Sequence, residues 1–223
     1  MDVVNIENLK FSYGNNNMFN DLNLKIEEGE FVGLIGANGS GKTTLLKLIL
    51  GENKRDGGTI KINGLDIDDA QNYGNIGYVP QMNKKSEIAF PITPEEIVGL
   101  NLYSKFKVFN KSKKEDKEKV EKALRSVNLY DKRKYNFNNM SGGEQQRVMI
   151  AKALVNNPNF IIMDEPTSGI DENSKSLLFQ ILVHLNRSHN ITILIVTHEL
   201  EYVRKFLSRI IIMKNGQIRE FKE

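Results

Sequence analysis

The chain has 223 residues, 39% of them hydrophobic and 26% charged, and carries a formal net charge of +3. That length is enough for a real hydrophobic core within one domain. The small excess of Lys and Arg is interspersed with acids, which reads as a solvated surface and not as a nucleic-acid surface. There is no cysteine, so disulfides, thiolate metal sites and thiol nucleophiles are excluded.

The first residues, Met1-Asp2-Val3-Val4-Asn5, hold neither a basic region nor a long apolar run, and no signal peptide is expected. The apolar stretch Ile193-Leu194-Ile195-Val196 is far too short to span a bilayer. A role at a membrane would therefore come through a partner.

In chain order, residues 3–12 and 22–27 alternate apolar and polar side chains, as strands with one wet face do. Phe31 to Ile35 is a short apolar run, expected to be a buried strand. Leu45, Leu46, Leu48, Ile49 and Leu50 cluster at helical spacing, with Gly51 as the expected C-cap. Residues 57–64 read as a small β excursion bounded by glycines, and Ile76 to Val79 as another strand. From about 90 to 140 the chain reads as helical and heavily charged. Thr93-Pro94-Glu95-Glu96 and Ser112-Lys113-Lys114-Glu115 both have the form of capping boxes. Behind the second, Val120, Ala123, Leu124 and Val127 share one helical face. The last third returns to alternation. Apolar runs 160–163 and 191–196 flank a helix over 174–187 with Leu177, Leu178, Ile181, Leu182 and Leu185 on one face, which is the grammar of a parallel sheet. Asn215-Gly216 between two apolar runs predicts a hairpin.

Chemistry enters at residues 36–43, Gly-Ala-Asn-Gly-Ser-Gly-Lys-Thr, placed between an apolar strand and an apolar helix. Gly36, Gly39 and Gly41 let the backbone approach phosphates closely. Backbone N–H groups and the dipole of the following helix favour the anion. Lys42 suits the β- and γ-phosphates and Thr43 offers a hydroxyl to Mg²⁺. A second anchor is Phe160-Ile161-Ile162-Met163-Asp164-Glu165, an apolar strand that delivers two carboxylates at the end where α/β sheets bind ligands. Asp164 suits Mg²⁺, and Glu165 suits polarisation of an attacking water. Thr197-His198 follows the expected parallel neighbour of that strand, which would bring the imidazole near the γ-phosphate.

Together with Ser141-Gly142-Gly143-Glu144-Gln145-Gln146-Arg147, these motifs make the chain resemble, over essentially its whole length, the nucleotide-binding subunit of an ATP-binding cassette (ABC) transporter. The resemblance implies an α/β fold with a P-loop NTPase (RecA-like) core, about 1–85 and 142–223. A small antiparallel β subdomain and a helical subdomain, about 88–141, would complete one domain over 1–223. It implies that residues 36–44, Thr44 included, hold ATP, and that Tyr13 stacks on adenine. Taken alone, Tyr13 reads as a core-edge aromatic. Gln81 in Tyr78-Val79-Pro80-Gln81 matches a residue that contacts Mg²⁺ and the attacking water and couples nucleotide state to movement. Glu165 and His198 match the catalytic base and the γ-phosphate sensor.

In this family two subunits stack head to tail, so Ser141, Gly142, Gly143, Glu144 and Asp171, the last in Ser168-Gly169-Ile170-Asp171, would serve the ATP of the other copy. Met140 stands where Leu is usual and Glu144 where Gln is usual. The first is a mild apolar swap. The second places an acid beside a phosphate site, which works against ATP-driven dimerisation.

The implied partners are a second copy, an integral membrane permease and an extracytoplasmic metal-binding protein, on the cytoplasmic face of the membrane and without nucleic acid. Ala89-Phe90-Pro91-Ile92-Thr93 and Thr197-His198-Glu199 resemble the zinc- and manganese-importer branch. The alternatives are an exporter ATPase for another substrate and a non-transport ABC ATPase such as an iron–sulfur assembly type.

Overall fold

The structure is a computed structural model that describes residues 1–68, 76–82, 90–102 and 113–221. Its strands are β1 (Asp2–Tyr13), β2 (Asn16–Glu27), β3 (Phe31–Ile35), β4 (Gly57–Ile62), β5 (Leu65–Asp66), β6 (Ile76–Val79), β7 (Phe160–Asp164), β8 (Thr192–Val196), β9 (Arg209–Lys214) and β10 (Gln217–Glu220). Its helices are α1 (Lys42–Ile49), α2 (Pro94–Leu100), α3 (Lys113–Ser126), α4 (Gly142–Leu154), α5 (Glu172–His189) and α6 (Leu200–Val203). None of the described helices is long and apolar enough to cross a membrane.

Two sheets form. The smaller is antiparallel, in the order β2-β1-β4-β5, and the larger runs β10-β9-β3-β8-β7-β6. In the larger sheet the pairs β9–β3, β3–β8, β8–β7 and β7–β6 are parallel and only β10 runs against its neighbour. β7 and β8 are buried along their whole length. Their period-2 side chains feed opposite faces: Ile161, Met163, Ile193 and Ile195 point to one core, and Phe160, Ile162, Leu194 and Val196 to the other. The first core continues through α5 and α4 to α2 and α3; the second lies between the two sheets around α1.

Several expectations shift in detail. β1 alternates only in sections, because register shifts interrupt its pairing with β2 and Asn8 sits at φ 51. β2 begins at Asn16, six residues before the apolar alternation shows, because only Met18 and Phe19 interrupt the polar residues of its first half and pairing with β1 holds it. Asn63-Gly64, read as a boundary, turns the chain back to β5 with φ of 52 and 81. Gly51 follows the α1 cap, Leu50, at φ 67, and the N–H groups of Gly51 and Glu52 return to Leu48 O and Lys47 O, a Schellman ending.

The expected helical segment 90–140 is α-helical only in α2 and α3 among its described residues. Asn128 at φ 58 and the bond from Leu129 N to Leu124 O end α3 in the same Schellman manner. The chain then runs through two 3-10 turns, Tyr130–Lys132 and Phe137–Asn139, to α4. The Thr93 capping box is present, with Thr93 N donating to Glu96 Oε2 at 2.8 Å. Ser112 and Ala89 lie outside the described residues.

Asn215-Gly216 makes the expected hairpin between β9 and β10, with φ of 51 and 71. A Cβ on Gly216 would lie 2.0 Å from the backbone oxygen of Met18. Gly216→Ala is therefore expected to lower the thermal midpoint by about 2–4 °C per kcal/mol of strain and to weaken nucleotide binding, since Met18 lines the cleft described next. Thermal unfolding and nucleotide titration check both effects; an unchanged midpoint contradicts the close approach.

Candidate functional site

The C-terminal ends of β3, β8 and β7 lie side by side, with Leu34 opposite Val196 and Val196 opposite Asp164. Glu165 N donates to Val196 O at 2.9 Å and Thr197 N to Leu34 O at 3.3 Å, so the segments that leave these strands start in register. A cleft of about 700 Å³ opens there, lined by Met18, Gly36, Ala37, Asn38, Gly39, Gly41, Lys42, Thr43, Thr44, Gln81, Asp164, Glu165 and His198.

The loop 36–41 turns tightly. Gly39 and Gly41 take φ of 78 and 108. A Cβ at Gly36 would lie 2.4 Å from Met213 O. Lys42 opens α1 and is only 7% exposed; its ammonium donates to Gly36 O at 2.8 Å and Ala37 O at 3.0 Å. Ser40 Oγ is buried without a partner among the described residues.

Glu165 is the hub of the opposite wall. Its Oε2 accepts from Gln81 Nε2 at 3.2 Å and lies 3.1 Å from His198 Nδ1. It takes φ 46, a left-handed conformation uncommon for a residue with a side chain. Next to it Asp164 is buried, and burial lifts its carboxyl above the usual carboxylate range. The Glu165 charge adds to the rise, while Lys42 opposes it.

Because the folded pKa of Asp164 is raised, its neutral form is favoured by the fold, and stability is lost as pH rises from the unfolded value through the folded one. Asp164→Asn is expected to raise the midpoint of the nucleotide-free chain at pH 7 by about 2–4 °C per kcal/mol recovered, with the gap narrowing as pH falls. Thermal unfolding of both proteins across pH tests this; a gap independent of pH contradicts a buried-charge penalty.

The oxygens of Thr43, Gln81 and Asp164 are the hard donors that suit Mg²⁺ alongside phosphates. Gln81 gives its amide N–H to Glu165, and its side-chain carbonyl oxygen is an acceptor. Tyr13 lies outside the cleft lining. It is 48% exposed, its ring stands perpendicular to that of Phe11 with centroids 4.8 Å apart, and its hydroxyl accepts from Asn53 at 3.0 Å. Met18 does line the cleft and escaped the sequence reading. An apolar residue in a polar stretch carries no motif, and only the packing of β2 beside Gly41 places it there.

The residues 141–144 form a separate feature. Ser141 caps α4 in a complete capping box: Glu144 N donates to Ser141 Oγ at 3.3 Å and Ser141 N to Glu144 Oε2 at 3.0 Å. A Cβ at Gly143 would lie 2.4 Å from Ser174 Cβ, so glycine lets α4 pack against the start of α5. Asp171 caps α5 through Ser174 N at 2.9 Å, and the Ser174 hydroxyl together with that backbone bond holds its carboxyl below the usual range. None of Ser141, Gly142, Gly143, Glu144 and Asp171 lines the cleft.

A family model described as ABC transporter matches residues 19–168. The chain belongs to the ABC transporter family. Among relatives of this cassette, the zinc uptake system ATP-binding protein ZurA of Listeria innocua is 36% identical over 225 residues, covering 99% of this chain and 88% of that protein. The manganese transport system ATP-binding protein MntB of Bacillus subtilis is 34% identical over 213 residues, covering 96% and 84%. The solved dimeric structure of a bacterial ABC transporter cassette superposes with a TM-score of 0.82 at 31% identity and covers 98% of each chain. The α/β core with its phosphate loop is thus the fold of an ABC cassette, a P-loop NTPase.

Proposed function

We propose that this chain is the ATP-hydrolysing subunit of an ABC importer for a divalent metal ion, zinc or manganese. One observation carries the ATPase reading: a single cleft gathers loop residues 36–39 and 41–44 with Gln81, Asp164, Glu165 and His198, whereas Ser141 to Glu144 open a helix outside it. The first group binds ATP in the same copy. The second would meet the ATP of another copy in a head-to-tail dimer, with Asp171 beside it. Residues 1–223 then act as one domain in which about 88–141 form the helical subdomain.

Within the cleft, backbone N–H groups of the loop and Lys42 hold the phosphates. Thr43, Asp164 and Gln81 offer oxygens to Mg²⁺. Bound with ATP, Mg²⁺ neutralises charge that develops on the phosphate oxygens. Glu165 takes a proton from the attacking water. His198, beside Glu165, senses the γ-phosphate, and Tyr13 stacks on adenine with Met18 close by.

The names of the relatives support the metal cargo, as do Phe90-Pro91-Ile92-Thr93, where Phe90 stands 61% exposed just before α2 and is suited to meet a permease. An extracytoplasmic metal-binding protein completes the system, and the permease holds the chain at the cytoplasmic face of the membrane. The test is Mg²⁺-dependent ATPase activity of the chain with its permease in vesicles, with uptake of zinc or manganese measured in parallel. Absence of ATP hydrolysis refutes the enzyme; hydrolysis without metal uptake refutes the cargo.

A further inference from the structure

Glu144 is the third residue of α4, next to the helix end that closes over the second copy's nucleotide in the reading above. A free carboxylate there would repel an incoming phosphate. Both of its oxygens are engaged instead. Oε2 accepts Ser141 N–H at 3.0 Å, and Oε1 accepts from Lys132 Nζ. The Lys132 ammonium and the capping bonds from Ser141 hold the Glu144 carboxyl below its usual range. Gly142 and Gly143 are the first two residues of α4, where backbone N–H groups have no intrahelical acceptor. The Ser141 hydroxyl oxygen accepts from Glu144 N at 3.3 Å.

Lys132 is held in place by the turn that carries it. The turn Tyr130–Lys132 begins after Leu129, which is buried, and the Tyr130 ring is clasped by two guanidiniums. Arg125 lies 3.4 Å and Arg133 4.2 Å from its centroid. Arg133 also reaches toward Glu95 on α2 at 3.9 Å. The lysine is thus presented by a braced segment.

We propose that Lys132 is a positioning residue, the counter-charge that lets an acid stand at position 144 and leaves the α4 N-terminus open to a phosphate of a second copy's ATP. The inference rests on the head-to-tail dimer proposed above.

The test uses the full chain carrying Glu165→Gln as parent, with the dimer fraction read by light scattering during an ATP–Mg²⁺ titration. Lys132→Met should raise the ATP concentration for half-dimerisation by about tenfold, and the penalty should shrink at high salt. Lys132→Arg should behave as the parent. In a Glu144→Gln background, Lys132→Met should change that concentration by less than about twofold.

ATP affinity of the monomer should be the same in every variant; an affinity that falls with Lys132→Met overturns the proposal. So does a neutral Lys132→Met, or a penalty that persists with Glu144→Gln, which would give the lysine a structural task. A parent that never dimerises refutes the dimer reading and this inference with it. A parent that dimerises without regard to Lys132 refutes this inference alone.

Discussion

Replacing Glu165 by Gln is expected to lower ATP turnover by about a hundred- to ten-thousand-fold, the usual worth of a positioned general base, while ATP still binds. The amide keeps the shape and an oxygen where Gln81 donates at 3.2 Å, but it cannot take a proton from water. Its backbone is fixed by the bond from residue 165 N to Val196 O, at φ 46, so the substitution has little reason to move the wall of the cleft. Nucleotide then stays unhydrolysed and the ATP-bound dimer accumulates. Phosphate release and light scattering in ATP–Mg²⁺ measure the two halves of the effect. A variant that keeps half of the parent turnover would remove Glu165 from the role of base, and one that loses ATP binding would recast it as a binding residue.

Lys42→Ala is expected to act one step earlier. The ammonium is buried at the start of α1 and donates to two loop carbonyls, Gly36 O and Ala37 O, so its position in the cleft is already organised. Losing one charge-assisted hydrogen bond costs about 1.5–3 kcal/mol, which weakens ATP binding by roughly 10- to 150-fold. The rise in thermal midpoint that ATP gives the parent should shrink accordingly, because ligand stabilisation scales with the ratio of concentration to Kd. Nucleotide titration and thermal unfolding at a fixed ATP concentration read both consequences. A Kd within threefold of the parent would place the phosphates out of reach of this side chain.

The remaining expectations divide by the same physics. Gly216→Ala tests a backbone approach, Asp164→Asn a buried charge, and Lys132→Met a counter-charge at distance from the cleft. Only the last should leave monomeric ATP affinity untouched, since Lys132 and Glu144 take no part in the cleft lining.

Much of this was legible in the residues. Apolar runs such as 160–163 and 191–196 mark strands buried on both faces, as parallel strands are. The loop 36–43, the carboxylate pair 164–165 and Thr197-His198 stand out because each follows an apolar strand, and the fold brings Lys42, Thr43, Asp164, Glu165 and His198 to one cleft. The Asn215-Gly216 hairpin and the Thr93 capping box are likewise local, fixed by backbone geometry within four residues.

What needed the tertiary structure is non-local. The polar start of β2 becomes a strand only because β1 pairs with it, and Met18 reaches the cleft only through that pairing. Asn128 ends α3 by a left-handed turn that helical charge patterning did not reveal. Glu144 looked like a misplaced acid in the sequence, because a charge read by itself has no partner. The fold brings Lys132 across from a braced turn twelve residues upstream, and the pair decides what that acid does. Motif spacing determined the chemistry of this ABC cassette; the balance of charge around it was decided by contacts that only the folded chain makes.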